Sequence, residues 1–313
     1  MEPATIIASQ LTRQFDECLA ISDVTFEVPA GTLFACIGPS GCGKTTLVHL
    51  LTGIQPPTAG SATVLGKSPL EFTDGIRRKI GYVPQGQVFY EDLTVWENLR
   101  FSASLYGMWP FRRKRMKSIL ALLDLLDDRK VLAARLSADR KLRLSLACAL
   151  IHNPELIFID EPAVDADPVS LSRLWDFLQG LKKEGRTLFV TTRHVSAAAC
   201  CDLVGWMANG RLTMVGTPDD LRRKVFGGDM VDLNADGPEA RLHLSDMSRL
   251  PFVKRNAMFL DEDRVRVIVE EASAAIPALT EWCARENITV RSIQQYIPPF
   301  DEVFIKEAEA SRA

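Results

Sequence analysis

The sequence predicts an α/β protein: a parallel, helix-covered sheet with a helical insertion, followed by a smaller α+β domain. Three observations predict it. The apolar run LFACIG (33–38) ends in a glycine-rich turn and a helical run stopped by Gly53. Further apolar runs, KIGYVP (79–84), ELIFID (155–160) and TLFVTT (187–192), are separated by stretches of helical periodicity. Strands that are apolar on both faces and alternate with helices belong to a doubly wound parallel sheet. Finally, the pattern changes near FGGDM (226–230).

The elements follow in order. TIIASQLT (5–12) and DVTFEV (23–28) alternate as half-buried strands do. From about 88 to 150 the pattern is helical: EDLTVWENLRFSASLYG and SILALLDLLDD carry apolar residues at i, i+3 and i+4. SLSRLWDFLQGLKKEG reads as a helix between the strands at 155–160 and 187–192. Beyond a boundary at about 225, RVRVIVE (264–270) and ITVRSIQQY read as strands and AIPALTEWCAREN (275–287) as a helix. The expected division is therefore 1–225 and 226–313.

Composition excludes several classes. The 313 residues carry a net charge of −3, which gives no bulk attraction to nucleic acid. Seven scattered cysteines without a CxxC make a disulfide framework unexpected and fit a reducing cytosol. No apolar run approaches the roughly 18–20 residues of a membrane span. MEPATIIASQ has neither the basic stretch nor the apolar core of a signal peptide. A soluble chain is expected, with any membrane role arising through a partner.

GPSGCGKTT (38–46) fits G-x-x-x-x-G-K-[ST] through Gly38, Gly43, Lys44 and Thr45, with Pro39, Ser40, Gly41, Cys42 and Thr46 completing the loop. Gly41 and Gly43 allow the backbone to wrap so that its N–H groups face phosphate oxygens. The helix that follows presents its positive end to the same anion. Lys44 would reach the β- and γ-phosphates, and the Thr45 hydroxyl would bind Mg²⁺. LIFID places Asp160 at the end of a buried strand, where an ionised carboxylate needs a partner such as that Mg²⁺. Glu161 points differently from Asp160 and is placed to polarise a water.

These motifs, with others in the right order, resemble an ATP-binding-cassette (ABC) ATPase subunit of the exporter type that works with ABC-2 permeases. The resemblance covers about 5–225. It implies a P-loop NTPase ABC cassette: a RecA-like core, an antiparallel β subdomain and a helical insertion at 88–150, with a C-terminal α+β accessory domain. Phe15 in LTRQFDECLA matches the aromatic that stacks on adenine. GPSGCGKTT matches Walker A, and LIFIDE matches Walker B with Glu161 as the catalytic glutamate. Gln85 in IGYVPQGQ matches the glutamine that touches Mg²⁺ and water. Asp167 in EPAVDADP matches the D-loop aspartate, and NGRLTMVGTPDDL matches the close of the cassette. YEDLTVWENLRFSASLYG and the tail YIPPFDEVFIKEAEA are similar to the corresponding segments of that subclass.

Two places depart from the pattern. Where the family has LSGGQ, this chain has Leu136, Ser137, Ala138, Asp139 and Arg140. Where the family has a switch histidine, this chain has Arg193, with His194 one position late. The resemblance implies two cassettes facing head to tail, each ATP held by one chain's Walker motifs and the other's signature. Ala138 then adds a methyl group where the backbone must approach phosphate. Asp139 adds a negative charge facing an anion, which Arg140 can offset by contacting either Asp139 or phosphate. Arg193 is longer than histidine and always charged.

The expected function is an ATP-binding subunit that couples MgATP binding and weakened hydrolysis to a separate ABC-2 type membrane permease. It would sit peripherally on the cytosolic face of the membrane. A second cassette completes the assembly, and a heterodimer is favoured over a homodimer. The competing expectation is a regulatory or structural cassette that scarcely hydrolyses ATP. Neither involves nucleic acid. The basic cluster FRRKRMK (111–117) reads either as a solvated helix turn or as a contact with anionic headgroups or the permease.

Overall fold

A computed structural model of the chain describes residues 4–86, 89–108, 112–162, 168–235, 245–254, 257–261 and 263–310. The described contacts divide it into two compact units, Met1–Val215 and Gly216–Ala313.

The first unit opens with strands β1 (Ala4–Phe15) and β2 (Cys18–Pro29), an antiparallel pair. Strand β3 (Leu33–Ile37) is buried at every position and leads through the glycine loop into helix α1 (Lys44–Thr52). Gly53 ends α1 in the left-handed region, φ 74°, where a side chain would also strike the Pro69 carbonyl. Strand β4 (Ala59–Val64) returns to β1, giving a three-stranded sheet ordered β2-β1-β4. This strand was not legible in the sequence, because AGSATV offers neither an apolar run nor clean alternation. A short helix, α2 (Asp74–Arg77), precedes strand β5 (Ile80–Val83).

Among the described residues the insertion contains three α-helices. Helix α3 (Val95–Leu105) starts in a capping box in which Thr94 and Glu97 exchange hydrogen bonds. Helix α4 is Arg112–Leu122, earlier than the periodicity of SILALLDLLDD suggests. It ends there because Asp124 turns left-handed, φ 52°, and Leu125 N–H closes on the Leu120 carbonyl. Residues 112–117 of the basic cluster thus form the first half of this helix. Helix α5 (Ala138–Leu150) is capped by Ser137.

Strand β6 (Leu156–Asp160), helix α6 (Pro168–Lys183), and strands β7 (Thr187–Thr192), β8 (Leu203–Ala208) and β9 (Arg211–Gly216) complete a six-stranded sheet ordered β5-β6-β7-β3-β8-β9. Its pairs from β5 to β8 are parallel. The core joins both sheets and α1 around four aromatic rings, with Phe34 stacked 5.1 Å from Phe189 and 5.3 Å from Phe26. Phe158 lies tilted against Phe189.

The second unit begins with helix α7 (Pro218–Phe226), ahead of the expected boundary at about 225. Strands β10 (Asp229–Ala235), β11 (Met258–Phe259) and β12 (Arg264–Val269), helix α8 (Ala272–Arg285), strand β13 (Val290–Tyr296) and helix α9 (Phe300–Ala310) follow. They build an antiparallel sheet ordered β11-β12-β10-β13. Its own core contains Val231, Leu233, Val265, Val267, Leu279 and Trp282. Helix α7 belongs here because Arg223 makes a two-pronged ion pair with Asp229 (2.7 and 3.2 Å).

Candidate functional site

The C-terminal ends of parallel strands gather the groups that the sequence singled out. Ile37 of β3 lies opposite Thr192 of β7, and Asp160 of β6 lies opposite Thr191. The segments leaving these ends therefore meet in one place.

The glycine loop is shaped by close packing. At Gly43, φ is 109° and a Cβ would fall 2.6 Å from the Ala20 carbonyl oxygen. At Gly38 a Cβ would fall 2.1 Å from the Met207 carbonyl. Neither position admits a side chain, so the loop follows one path with its exposed rim at Pro39, Ser40 and Gly41. Cys42 is buried, and burial pushes its thiol pKa up, so it packs as a small residue rather than offering a reactive thiolate.

Lys44 is almost wholly buried. Its Nζ donates to the carbonyls of Gly38 (2.9 Å) and Pro39 (2.8 Å) and pairs with Glu161 (2.9 Å). Glu161 stands in the left-handed region, φ 43°, a conformation costing about 1–2 kcal/mol for a residue with a side chain. Its N–H is held by the carbonyl (3.1 Å) and hydroxyl (3.0 Å) of Thr191. The same hydroxyl donates to Asp160. Thr191 thus positions both acids, a role the sequence reading missed. The available signal was a polar residue at the end of an otherwise apolar strand.

Asp160 is fully buried, and burial raises its pKa despite the hydrogen bond from Thr191. One of its carboxylate oxygens has no partner. Gln85, on the segment after β5, spans the neighbouring groups: its amide oxygen is 3.4 Å from the Thr45 hydroxyl and its amide nitrogen 3.5 Å from Glu161. An orphaned carboxylate oxygen beside a hydroxyl and an amide oxygen is a donor set that suits a hard divalent cation. Thr46 follows within the first turn of α1.

Phe15 is half-buried at the end of β1, with the Arg13 guanidinium 4.4 Å from its ring centroid. Arg193 is exposed directly after β7, and His194 opens the turn at Val195–Cys200 with its N–H on the Thr192 hydroxyl (3.0 Å). Asp167 lies outside the described residues.

The LSADR segment is a helix start. Leu136 is buried, Ser137 caps α5 by accepting from Arg140 N–H (3.4 Å), and Ala138, Asp139 and Arg140 form its first turn. Arg140 pairs with Asp128, not with Asp139. Asp139 pairs instead with Arg143 (2.8 Å). The first-turn N–H groups of such a helix lack intrahelical partners and carry its positive end.

Within the basic cluster the side chains diverge. Arg115 turns inward and donates to the carbonyls of Leu150 and Ile151, closing the end of α5. Arg113, Lys114 and Lys117 line a groove of about 460 Å³ beside Trp96. Phe111 and Trp109 lie outside the described residues.

This is the architecture of a P-loop nucleotide-binding cassette. The ABC transporter family model matches residues 21–164. The fluoroquinolones export ATP-binding protein of Mycobacterium tuberculosis is 37% identical over 204 residues, covering 65% of this chain and 67% of that one. The chain belongs to the ABC transporter family, whose ATP-binding cassettes are ATPases coupled to transport.

The probable multidrug ABC transporter ATP-binding protein YbhF of Escherichia coli is 33% identical over 231 residues, 72% of this chain and 39% of that relative. This chain thus spans about two fifths of YbhF. The linearmycin resistance ATP-binding protein LnrL of Bacillus subtilis is 26% identical over 300 residues, covering 95% of this chain and 96% of that one. That alignment extends into the second unit. Among solved structures, an ATP-binding subunit of an ABC transporter superposes with a TM-score of 0.64 at 30% identity, over 71% of this chain and 93% of that one.

Proposed function

We propose that this cassette binds MgATP and couples its hydrolysis to export through a separate ABC-2 type permease on the cytosolic face of a membrane. The observation that carries this reading is the buried Lys44–Glu161 pair at the mouth of the glycine loop, beside the unpartnered oxygen of Asp160. The exporter assignment draws support from the relatives' names. Among the described residues no helix is long and apolar enough to cross a membrane, and the membrane role is assigned here to the permease.

The residues divide the work. The loop from Gly38 to Thr46 receives the phosphates on its backbone N–H groups. Phe15 offers a ring face to adenine. Asp160, Thr45 and Gln85 would hold Mg²⁺, which supplies charge neutralisation of the phosphate oxygens. An arriving phosphate draws Lys44 away from the Gly38 and Pro39 carbonyls and from Glu161. Glu161, released from its cation, is then free to accept a proton from water while Gln85 orients that water. Nucleotide binding and activation of the base are therefore linked through one lysine.

Hydrolysis is proposed to be slow. Ala138 and Asp139 occupy the first turn of α5 where the family has glycines, and Arg193 replaces the switch histidine. These changes favour pairing with a second, different cassette over self-pairing. Asp167 is assigned to the contact between cassettes.

Steady-state ATP turnover tests the reading. The full chain is compared, alone and with a cassette encoded beside it, with Glu161→Gln and with a variant carrying Ala138→Gly, Asp139→Gly and Arg140→Gln. Glu161→Gln is expected to lower turnover at least about 100-fold while retaining ATP binding. The glycine variant is expected to raise it. ATP binding without turnover in any variant or mixture would instead identify a regulatory cassette.

A further inference from the structure

An acid at the second residue of α5 should spoil an anion site. Side chains of a helix lean toward its N-terminus, so the Asp139 carboxylate would by default lie near the very N–H groups that a phosphate needs. The observed arrangement differs. Arg143, one turn on, donates through Nε to Asp139 (2.8 Å). Its Nη1 is anchored to Asp124 (2.9 Å) and to the Leu123 carbonyl (3.3 Å), at the end of α4. The guanidinium is thus held from a second element, and it holds Asp139 in turn. The neighbouring charges are also occupied: Arg140 by Asp128, and Lys141 by Glu91 at 3.6 Å. What remains at the helix start is the Ser137 hydroxyl and the backbone N–H groups.

We infer that Arg143 is a positioning residue that keeps the LSADR helix start usable for a phosphate, by neutralising Asp139 and holding its carboxylate on the α4 side. The inference rests on the proposed function, because the phosphate in question is that of ATP bound by a facing cassette. Arg143 does not touch nucleotide; it acts through Asp139. A half-exposed i,i+4 ion pair contributes little to stability. The main consequence of losing Arg143 is therefore electrostatic, an unmasked carboxylate at an anion site, and not unfolding.

ATP-driven association of the full-length Glu161→Gln chain, alone and with a cassette encoded beside it, followed by analytical ultracentrifugation, provides the test. In that background, Arg143→Gln is expected to weaken association at least about tenfold, as one uncompensated charge near a phosphate should. Adding Asp139→Asn is expected to restore it. Adding Asp124→Asn instead is not, because Asp124 lies just past α4 and not in the first turn of α5. Thermal unfolding should barely distinguish these variants. If Arg143→Gln associates as its parent does, or if Asp139→Asn fails to rescue it, the inference falls. It falls equally if the LSADR parent associates neither with itself nor with the second cassette while the chain with restored glycines does. Failure of the restored chain itself to associate would overturn the facing-cassette reading, and the inference with it. In the restored chain Asp139 is absent, so Arg143→Gln there should have no effect.

Discussion

At Asp160, one carboxylate oxygen accepts from Thr191 and the other is buried without a partner. Burial opposes its charge. The fold therefore carries a local cost that a bound cation would relieve. Asp160→Asn keeps the shape and the bond from Thr191 while removing the charge. Two results are expected from thermal unfolding. The nucleotide-free variant gains about 1 kcal/mol, a Tm rise of a few degrees. The further stabilisation that MgATP gives the parent is lost. Equal stabilisation of both proteins by MgATP would remove Asp160 from the cation site. Lys44 and Glu161 show the same logic with the charges paired, since each occupies the other until a phosphate competes.

Between elements, a histidine ties the insertion to the parallel sheet. His152, just beyond α5, stacks on Tyr106 at 3.6 Å and bonds the Ile80 carbonyl of β5 through Nε2 (2.9 Å). Its Nδ1 is buried without a partner, and burial pushes the imidazole pKa below its ordinary value near 6.5. The sign follows from linkage. The unfolded chain takes up a proton near pH 6.5 that the folded chain resists, so stability is present above that pH and lost below it. The first unit should therefore unfold at lower temperature at pH 5.5 than at pH 7.5. His152→Gln keeps a donor for Ile80 and should reduce that difference; an unchanged pH slope would assign the acid sensitivity elsewhere. Arg115 works at the other side of the same junction, as the donor that closes α5. Arg115→Met should cost about 1–2 kcal/mol with no change in the affinity for MgATP, read by denaturant unfolding and nucleotide titration.

For the whole molecule, the division at Gly216 predicts that 216–313 folds on its own. Trp282, the one tryptophan in that stretch, is buried and reports the core. The fragment should unfold cooperatively with a red shift in its emission. A fragment starting at 226 lacks α7 and with it Arg223, leaving the buried Asp229 without its cation. It should unfold at a lower temperature than the 216–313 fragment. Equal stability of the two fragments would place the boundary near 225 after all.

How much of this was legible in the sequence differs with the interaction. The strands ELIFID and TLFVTT and the glycine loop were readable, because continuous apolar runs and glycine spacing are local signals. Strands β4 and β10 were not. β4 draws its stability from pairing with β1, a partner distant in sequence, and DMVDLNA lies just past the expected break between domains. The start of α4 was misplaced because its polar first half buries only Met116, and periodicity there is weak.

The site divides the same way. The sequence by itself determined the loop that receives phosphate, the acids at the strand end, and the presence of LSADR where the resemblance expects LSGGQ, since each is a matter of residue type at a fixed spacing. Only the tertiary structure decided where the charges go: that Lys44 rests on Glu161, that Thr191 holds both acids, and that Asp139 answers to Arg143 and Arg140 to Asp128. Charged side chains choose partners by distance in space, and the competing partners here come from separate strands and helices that the fold alone brings within reach.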